Sequence, residues 1–305
     1  MPAAPAELSR ITVGAIDVTF VPDGFGTSNP AEWFSGGEEN VWAANPHLLD
    51  ANGSLIMSLG SLLVRTAGKL ILVDLAWGPT PRAQSPAPEP GRRTSTVQGG
   101  ALVSNLRRLG IGPEDIDAVL FSHLHPDHVG WLVDPSSVVG EDTSFARPTF
   151  PNADHYLSEP EWAYWSELSE NGQRGAPSSA QLRTLGSRLR FVSDGETLFP
   201  GLDALATFGH TPGHLSFAVS SGGERALLLG DAVHCPVEML EPEMSFALDV
   251  DPDLAKKVRI ELARSLSETG TIAAAPHFPD LVFGRLLKGE GRPHWFFPDD
   301  QVVAI

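Results

Sequence analysis

The sequence predicts an α/β protein built on mixed sheets. Three observations carry this. Short runs rich in β-branched and aromatic residues recur along the chain, some are joined as hairpins, and segments with apolar residues at helical spacing lie between them. No short-period repeat is present.

Taken in order, Ile11–Val13 and Val18–Val21 read as strands, with Pro22-Asp23-Gly24 as the turn that ends the second. Residues 25–53 are irregular and carry Phe25, Trp33, Phe34 and Trp42. Such an apolar loop is either a cover over a site or a packing strap at the domain edge. Leu59–Val64 and Leu70–Val73 form a hairpin around Ala67-Gly68, and the Pro-rich residues 79–91 form a surface loop. Leu102, Leu106 and Leu109 mark a short helix that Gly110 ends. A strand over Ile116–Phe121 runs straight into Ser122-His123-Leu124-His125-Pro126-Asp127-His128, and a helix follows around Glu161–Trp165. Two strand pairs surround His210 and Asp231. Asp251 then caps a helix that starts at Pro252, carries Leu254, Val258, Leu262 and Leu266 as its apolar stripe, and stops at Gly270. A last strand, Thr271–Ala275, delivers Pro276-His277. The length of 305 residues fits one domain over 1–305.

Composition narrows the function. With 42% apolar and 19% charged residues the chain is globular rather than disordered. Its formal net charge of −17 disfavours nucleic acid and anionic membrane surfaces as partners, because both demand clustered Lys and Arg. The 1 cysteine, Cys235, excludes an intramolecular disulfide and any multi-thiolate zinc site. No signal-peptide pattern opens the sequence and no apolar run reaches about 18 residues, so a cytoplasmic location is expected.

The strongest chemical signal is His123-Leu124-His125-Pro126-Asp127-His128, which places metal-ligating residue types side by side directly after an apolar strand. A tight loop at a strand end can turn several side chains toward one point, and imidazole with carboxylate suits zinc, iron, cobalt or manganese. His210, Asp231 and His277 each follow a strand-like run and are the further candidate ligands.

With these segments the chain resembles the metallo-β-lactamase superfamily, whose HxHxDH motif is matched by His123 to His128. It looks most like the branch that contains methyl parathion hydrolase and the N-acyl homoserine lactone lactonases. Gly209-His210-Thr211-Pro212-Gly213-His214, Gly230-Asp231 and Ala274-Ala275-Pro276-His277-Phe278-Pro279 support the match. The resemblance implies a four-layered αβ/βα sandwich of two mixed sheets flanked by helices. It implies two divalent metal ions, zinc foremost and iron, manganese or cobalt as alternatives. His123, His125 and His210 would hold one, Asp127, His128 and His277 the other, and Asp231 would bridge them. It also implies a hydrolase in which a bridging hydroxide attacks the carbonyl carbon of a lactone or ester, or the phosphorus of a phosphotriester, with Asp127 holding or shuttling the proton. Asp74 corresponds to a hydrogen-bonding, non-ligating Asp of the superfamily. His214 is expected to pack in its turn, the other role open to it being to orient a ligand or the bridging Asp.

One departure stands out. The lactonases carry Tyr three residues after the bridging Asp, and here that residue is His234, a candidate donor to a developing oxyanion. Phe25, Trp33, Phe34, Trp131 and Phe278 are candidates to line a substrate pocket, and Arg285 is a candidate anion contact. The expected partner is a small, largely apolar ester, lactone or phosphotriester. The N-terminal loop either covers the site or meets a second subunit in a homodimer. The alternatives are a thioesterase of the glyoxalase II kind and an iron-dependent redox enzyme of the same superfamily.

Overall fold

The computed structural model describes residues 2–37, 40–79, 96–138, 143, 145–241, 243–289, 293–297 and 302–304. Apart from Pro79, the Pro-rich loop expected over 79–91 lies outside the described residues. In chain order the first half runs β1 (Ser9–Val13), β2 (Ile16–Ser28), α1 (Pro30–Trp33), β3 (Phe34–Ser35), α2 (Val41–Ala44), β4 (Leu55–Thr66), β5 (Lys69–Val73), β6 (Thr96–Gln98), α3 (Leu102–Arg108), β7 (Ala118–Leu120), β8 (Asp154–Ser158), α4 (Glu159–Glu170), α5 (Ser179–Gly186) and β9 (Leu189–Val192). The second half runs β10 (Thr197–Phe199), β11 (Leu202–Ala206), β12 (Leu215–Ser221), β13 (Glu224–Leu228), α6 (Val237–Leu240), β14 (Ser245–Phe246), α7 (Pro252–Thr269), β15 (Ile272–Ala274), β16 (Phe283–Leu287), β17 (His294–Phe296) and β18 (Val303–Ala304).

Among the described residues two large mixed sheets form. The first has the order β18-β1-β2-β4-β5-β7-β8-β9, with β6 also pairing to β2, and the second β10-β11-β12-β13-β15-β16-β17. Pairing is parallel between β5, β7, β8 and β9 and between β13 and β15, and antiparallel elsewhere. Side-chain alternation then dictates the layers. Leu62, Val64, Ile71, Val73, Ala118 and Leu120 of the first sheet meet Phe217, Val219, Ala226, Leu228, Ile272 and Ala274 of the second in one core. Their neighbours Leu63, Leu72 and Val119 face the other way, onto Leu102 and Leu106 of α3, Trp165 of α4 and Leu185 of α5. Ala218, Leu227 and Ala273 face outward from the second sheet onto Leu266 of α7 and Met239 of α6. The result is a helix–sheet–sheet–helix sandwich, and strands buried on both faces explain the continuous apolar runs of the sequence. No helix among the described residues is long and apolar enough to cross a membrane.

Local signals place the elements. The β4–β5 hairpin turns through Ala67 and Gly68, both at positive φ, as a two-residue hairpin connection prefers. Asp251 accepts from the Leu254 amide at 3.0 Å at the start of α7, and Gly270 closes that helix in the left-handed region.

Three expectations are corrected. Pro22-Asp23-Gly24 does not end the second strand: β2 continues to Ser28, and its register to β4 shifts between Pro22 and Gly24. Proline has no N–H for the ladder, so a bulge forms there. The bulge turns the buried Asp23 carboxylate to accept from the amides of Gly78, Gly100 and Leu102 and from Trp131 Nε1, at 2.8–3.0 Å. The segment 25–53 is not irregular throughout, because Phe25–Ser28 belong to β2 and α1, β3 and α2 follow. On α7 the fully buried positions are Ala255, Arg259 and Leu266, whereas Leu254 is 37% exposed. Leu262 and Leu266 pack inward as expected, and the buried Ala255 and Arg259 take the place of Leu254 at the start of the inner face.

Candidate metal centre

Two sheets lend their strand ends to one point. The loop after β7 carries His123 to His128, the β11–β12 loop carries His210, the turn after β13 carries Asp231, and the segment after β15 carries His277. Gly230, at φ +55°, makes the turn into Asp231, and a Cβ there would lie 2.8 Å from both His214 Nε2 and the Ser122 Cβ, so only glycine fits.

The candidate ligands gather into two groups, His123, His125, His210 and Asp231 in one and Asp127, His128 and His277 in the other, with ligand atoms within 4.8 Å of one another in each. His125 Nδ1 lies 2.9 Å from both His123 Nε2 and His210 Nε2. Asp231 stands between the groups. Its Oδ2 is 3.6 Å from His123 Nε2 and from His210 Nε2, and its Oδ1 is 3.3 Å from His128 Nε2 and from His277 Nε2. Asp127 Oδ2 is 3.5 Å from His277 Nε2 and Asp127 Oδ1 3.9 Å from His128 Nε2.

The partners behind the rings fix the tautomers. His128 Nδ1 lies 2.9 Å from Asp74 Oδ2, His210 Nδ1 3.1 Å from Asp249 Oδ1, and His277 Nδ1 2.9 Å from the Ser58 carbonyl. Carboxylates and carbonyls only accept, so each Nδ1 donates and each Nε2 presents its lone pair to the centre. His123 Nδ1 donates to Ser122 Oγ at 3.0 Å, since that hydroxyl spends its own proton on Asp74 Oδ2 at 2.7 Å. His214 accepts from the Asp231 amide through Nε2 at 2.9 Å, which requires Nδ1 to donate to Thr207 Oγ1 at 2.8 Å. Asp74 and His214 therefore act through hydrogen bonds that set His128 and Asp231.

This arrangement fits cations. His128 Nε2, His277 Nε2 and Asp231 Oδ1 are buried without a hydrogen-bond partner. Such groups cost about 1–3 kcal/mol each unless something satisfies them. A single proton on His125 Nδ1 serves at most one of its two imidazole neighbours, leaving lone pairs opposed. Burial and the crowd of neighbouring imidazoles hold His123 and His210 well below the usual histidine range and His125 down at about 3, so these rings are neutral. Burial also opposes charge on His128 and His277, but Asp231 and Asp127 outweigh it and raise both. Burial likewise works against ionised Asp231, yet His128, His277 and His123 hold it well below the carboxylate range. The neutral rings of His123, His125 and His210 and the fixed Asp231 carboxylate are what a divalent ion of borderline softness takes, and a cation bound there would displace the proton that the carboxylates otherwise favour on His128 and His277.

The centre opens into a cavity of about 510 Å³ whose lining includes His125, Asp127, His210, Asp231 and His277. Of the pocket candidates only Trp33 lines it. Phe34 is packed against Trp42 and Phe246, Phe278 is fully buried against Trp295, and Trp131 is held by Asp23. Phe25 lies outside the lining, and Arg285 donates from Nη1 to the Gly270 carbonyl, beside a surface groove apart from the cavity. His234 is also turned elsewhere: it is 1% exposed, stacks under Phe246 at 3.5 Å, and sets Nε2 3.5 Å from Asp231 Oδ2. Sequence reasoning missed Met57, Trp77, Val97, Phe246, Leu248 and Arg174, which complete the wall. They lie far apart in sequence and share no pattern.

It also missed Glu161. This buried carboxylate on α4 accepts from the Leu124 amide, Trp165 Nε1, Thr211 Oγ1 and the Gly213 amide at 2.6–3.1 Å, clamping the two histidine-bearing loops together. Its burial pushes its pKa up to about 7. The helix N-cap Ser158 was its nearest sequence signal.

Comparison with known proteins places the chain in a family. The chain is 28% identical over 189 residues to a Mycobacterium tuberculosis protein named "Probable metallo-hydrolase Rv2300c", covering 57% of this chain and 56% of that one. It is 29% identical over 186 residues to the N-acyl homoserine lactonase AttM of Azorhizobium caulinodans, covering 58% and 64%. The chain thus spans a little over half the length of these curated relatives. The solved structure of AidC, a dizinc quorum-quenching lactonase in complex with a product, superposes with a TM-score of 0.77 over 95% of this chain and 97% of that one, at 24% identity, a likeness of fold. The family model of the metallo-beta-lactamase superfamily matches residues 61–272, and the chain belongs to that superfamily.

Proposed function

We propose that the chain is a metal-dependent hydrolase that opens a lactone or ester of a neutral, largely apolar small molecule. The observation that carries this is the position of Asp231, one oxygen toward each histidine group, on the floor of a cavity walled by Trp33, Met57, Leu59, Trp77, Val97 and Phe246. The names of the lactonase relatives support the same chemistry.

His123, His125 and His210 would hold one cation and Asp127, His128 and His277 a second, with Asp231 shared; zinc suits this set. Two such ions supply Lewis acidity for a carbonyl or phosphoryl oxygen and hydroxide at neutral pH. The chain's own residues do the rest. The apolar wall binds the substrate's hydrocarbon part and excludes water. Asp127, whose side chain is 23% exposed and borders the cavity, takes at its carboxylate the proton released as water adds to the carbonyl carbon and returns it to the leaving oxygen as the lactone or ester C–O bond breaks. Arg174 supplies a cation at the wall, suited to a carbonyl or a developing carboxylate.

Metal analysis of the purified protein, followed by assays on lactones, aryl esters, phosphotriesters and thioesters, tests this reading. The expected result is about two metals per chain with lactone or ester hydrolysis that His123→Ala abolishes. One iron per chain with sulfur oxidation and no hydrolysis would overturn it.

A further inference from the structure

Behind the centre Asp231 and His210 belong to a buried circuit of charge whose other four members the proposed chemistry does not use. Asp231 Oδ2 faces His234 Nε2 at 3.5 Å, and His234 Nδ1 faces Glu238 Oε2 at 3.4 Å. Arg259 Nη1 of α7 stands 3.5 Å from Glu238 Oε1 and 3.1 Å from Asp249 Oδ2. Asp249 Oδ1 meets His210 Nδ1 at 3.1 Å, and His210 Nε2 returns to Asp231 Oδ2 at 3.6 Å. The six side chains close a ring, and their residues are 1–8% exposed. Arg259 also donates to the Met244 carbonyl at 3.2 Å, which ties the helix to the chain leading into Phe246.

We infer that Arg259 is a positioning residue for the centre, acting on the His210 imidazole through Asp249 and on the Asp231 carboxylate through Glu238 and His234. The inference rests on the metal-centre reading above. Its physical basis is geometric. Arg259 Nη1 donates to Asp249 Oδ2 at 3.1 Å and faces Glu238 Oε1 as a buried ion pair at 3.5 Å, so one planar guanidinium sets the distance between the two acids and thereby the angle between two rings that both approach Asp231 Oδ2. Each ring touches only one of these acids, so neither Asp249 nor Glu238 alone can do this. The polar partners of Arg259, namely Glu238, Asp249 and the Met244 carbonyl, are neither candidate ligands nor residues of the cavity lining. His234, at the position of the lactonase Tyr, is in this arrangement a prop for Asp231.

The test uses the full chain, stripped of metal and titrated with cobalt(II) alone. Affinity is read by competition with a chromophoric chelator and ligand geometry from the visible spectrum of the bound cobalt. Arg259→Met keeps the stem and removes the clamp. It is expected to weaken cobalt binding about 10- to 100-fold and to change the spectrum, with Arg259→Lys restoring part of both. Should Arg259→Met fail to fold by circular dichroism, the isosteric Asp249→Asn and Glu238→Gln decide by the same two readouts. Folded variants with the wild-type affinity and spectrum overturn the positioning role alone. A wild-type chain that binds no cobalt overturns the metal-centre reading and this inference with it.

Discussion

Single atoms decide which way each imidazole faces. Asp74 shows how little freedom the centre has: it sits at φ +62°, accepts from the Ser122 amide at 2.8 Å through Oδ1, and takes both the Ser122 hydroxyl and His128 Nδ1 through Oδ2. In Asp74→Asn the backbone conformation is tolerated, because Asn also visits the left-handed region. The amide nitrogen, however, would point a donor at two donors. His128 must then change tautomer and withdraw its Nε2 lone pair. Metal affinity is expected to fall about 10- to 100-fold with the fold intact, measured by chelator competition beside circular dichroism. Unchanged affinity would show that the tautomer of His128 does not matter. The residue scale is also where sequence reading succeeds and fails most sharply. His123 to His128 are legible because they are contiguous. Arg259 and Glu161 are not, since a lone Arg or Glu in a helix reads as solvated surface until its partners are seen.

Pairing between elements rests on similar local devices. Asp117 sits just before β7 and donates its amide to the Leu70 carbonyl of β5 at 2.9 Å, while its carboxylate takes the Leu70 amide at 2.9 Å and the Lys69 ammonium at 2.6 Å. Burial opposes ionisation of Asp117, but Lys69 and the amide prevail and hold its pKa below the ordinary value. The folded state therefore favours the ionised form. This stabilisation is fully present above the unfolded-state pKa of about 3.9 and is lost as pH falls through the lower native value. Asp117→Asn should destabilise the protein by about 1 kcal/mol or less at pH 7, with the difference vanishing in strong acid. Urea midpoints at the two pH values check it, and a difference that persists in acid would assign the effect to packing. Element order was mostly readable, because hairpin turns and helix caps are short-range signals: Ala67-Gly68, Gly110, Asp251 and Gly270 all mark boundaries that form. The bulge at Pro22-Asp23-Gly24 was not, since whether a proline ends a strand or bends it depends on the partner strand.

At the scale of the molecule, the candidate ligands come from both sheets, His123 to His128 after β7 of the first and His210, Asp231 and His277 after strands of the second. A cation held there would join the two sheets at one edge and bind the folded chain in preference to the unfolded one, where only the contiguous His123 to His128 ligands stay together. By mass action it stabilises by about 2.7 kcal/mol at a free concentration 100 times its dissociation constant. Chelator treatment is expected to lower the melting temperature, and added zinc to restore it in a concentration-dependent way. A melting temperature indifferent to both would contradict a metal shared between the sheets.

The sequence by itself determined the α/β class, the turn of the β4–β5 hairpin and the ends of α7, and a set of candidate ligands that the fold gathers into one centre. Those properties depend on neighbours a few residues away, or on a motif carried whole on one loop. Only the tertiary structure decided which aromatics face the cavity, that Trp33 does while Phe34, Trp131 and Phe278 pack inside, that His234 turns to Asp231, and that Arg259 lies at the heart of a buried charge ring. The reason is physical: an apolar side chain lowers its free energy equally in a core or in a pocket wall, and a charged one survives burial wherever partners meet it, so both outcomes are set by contacts across the fold.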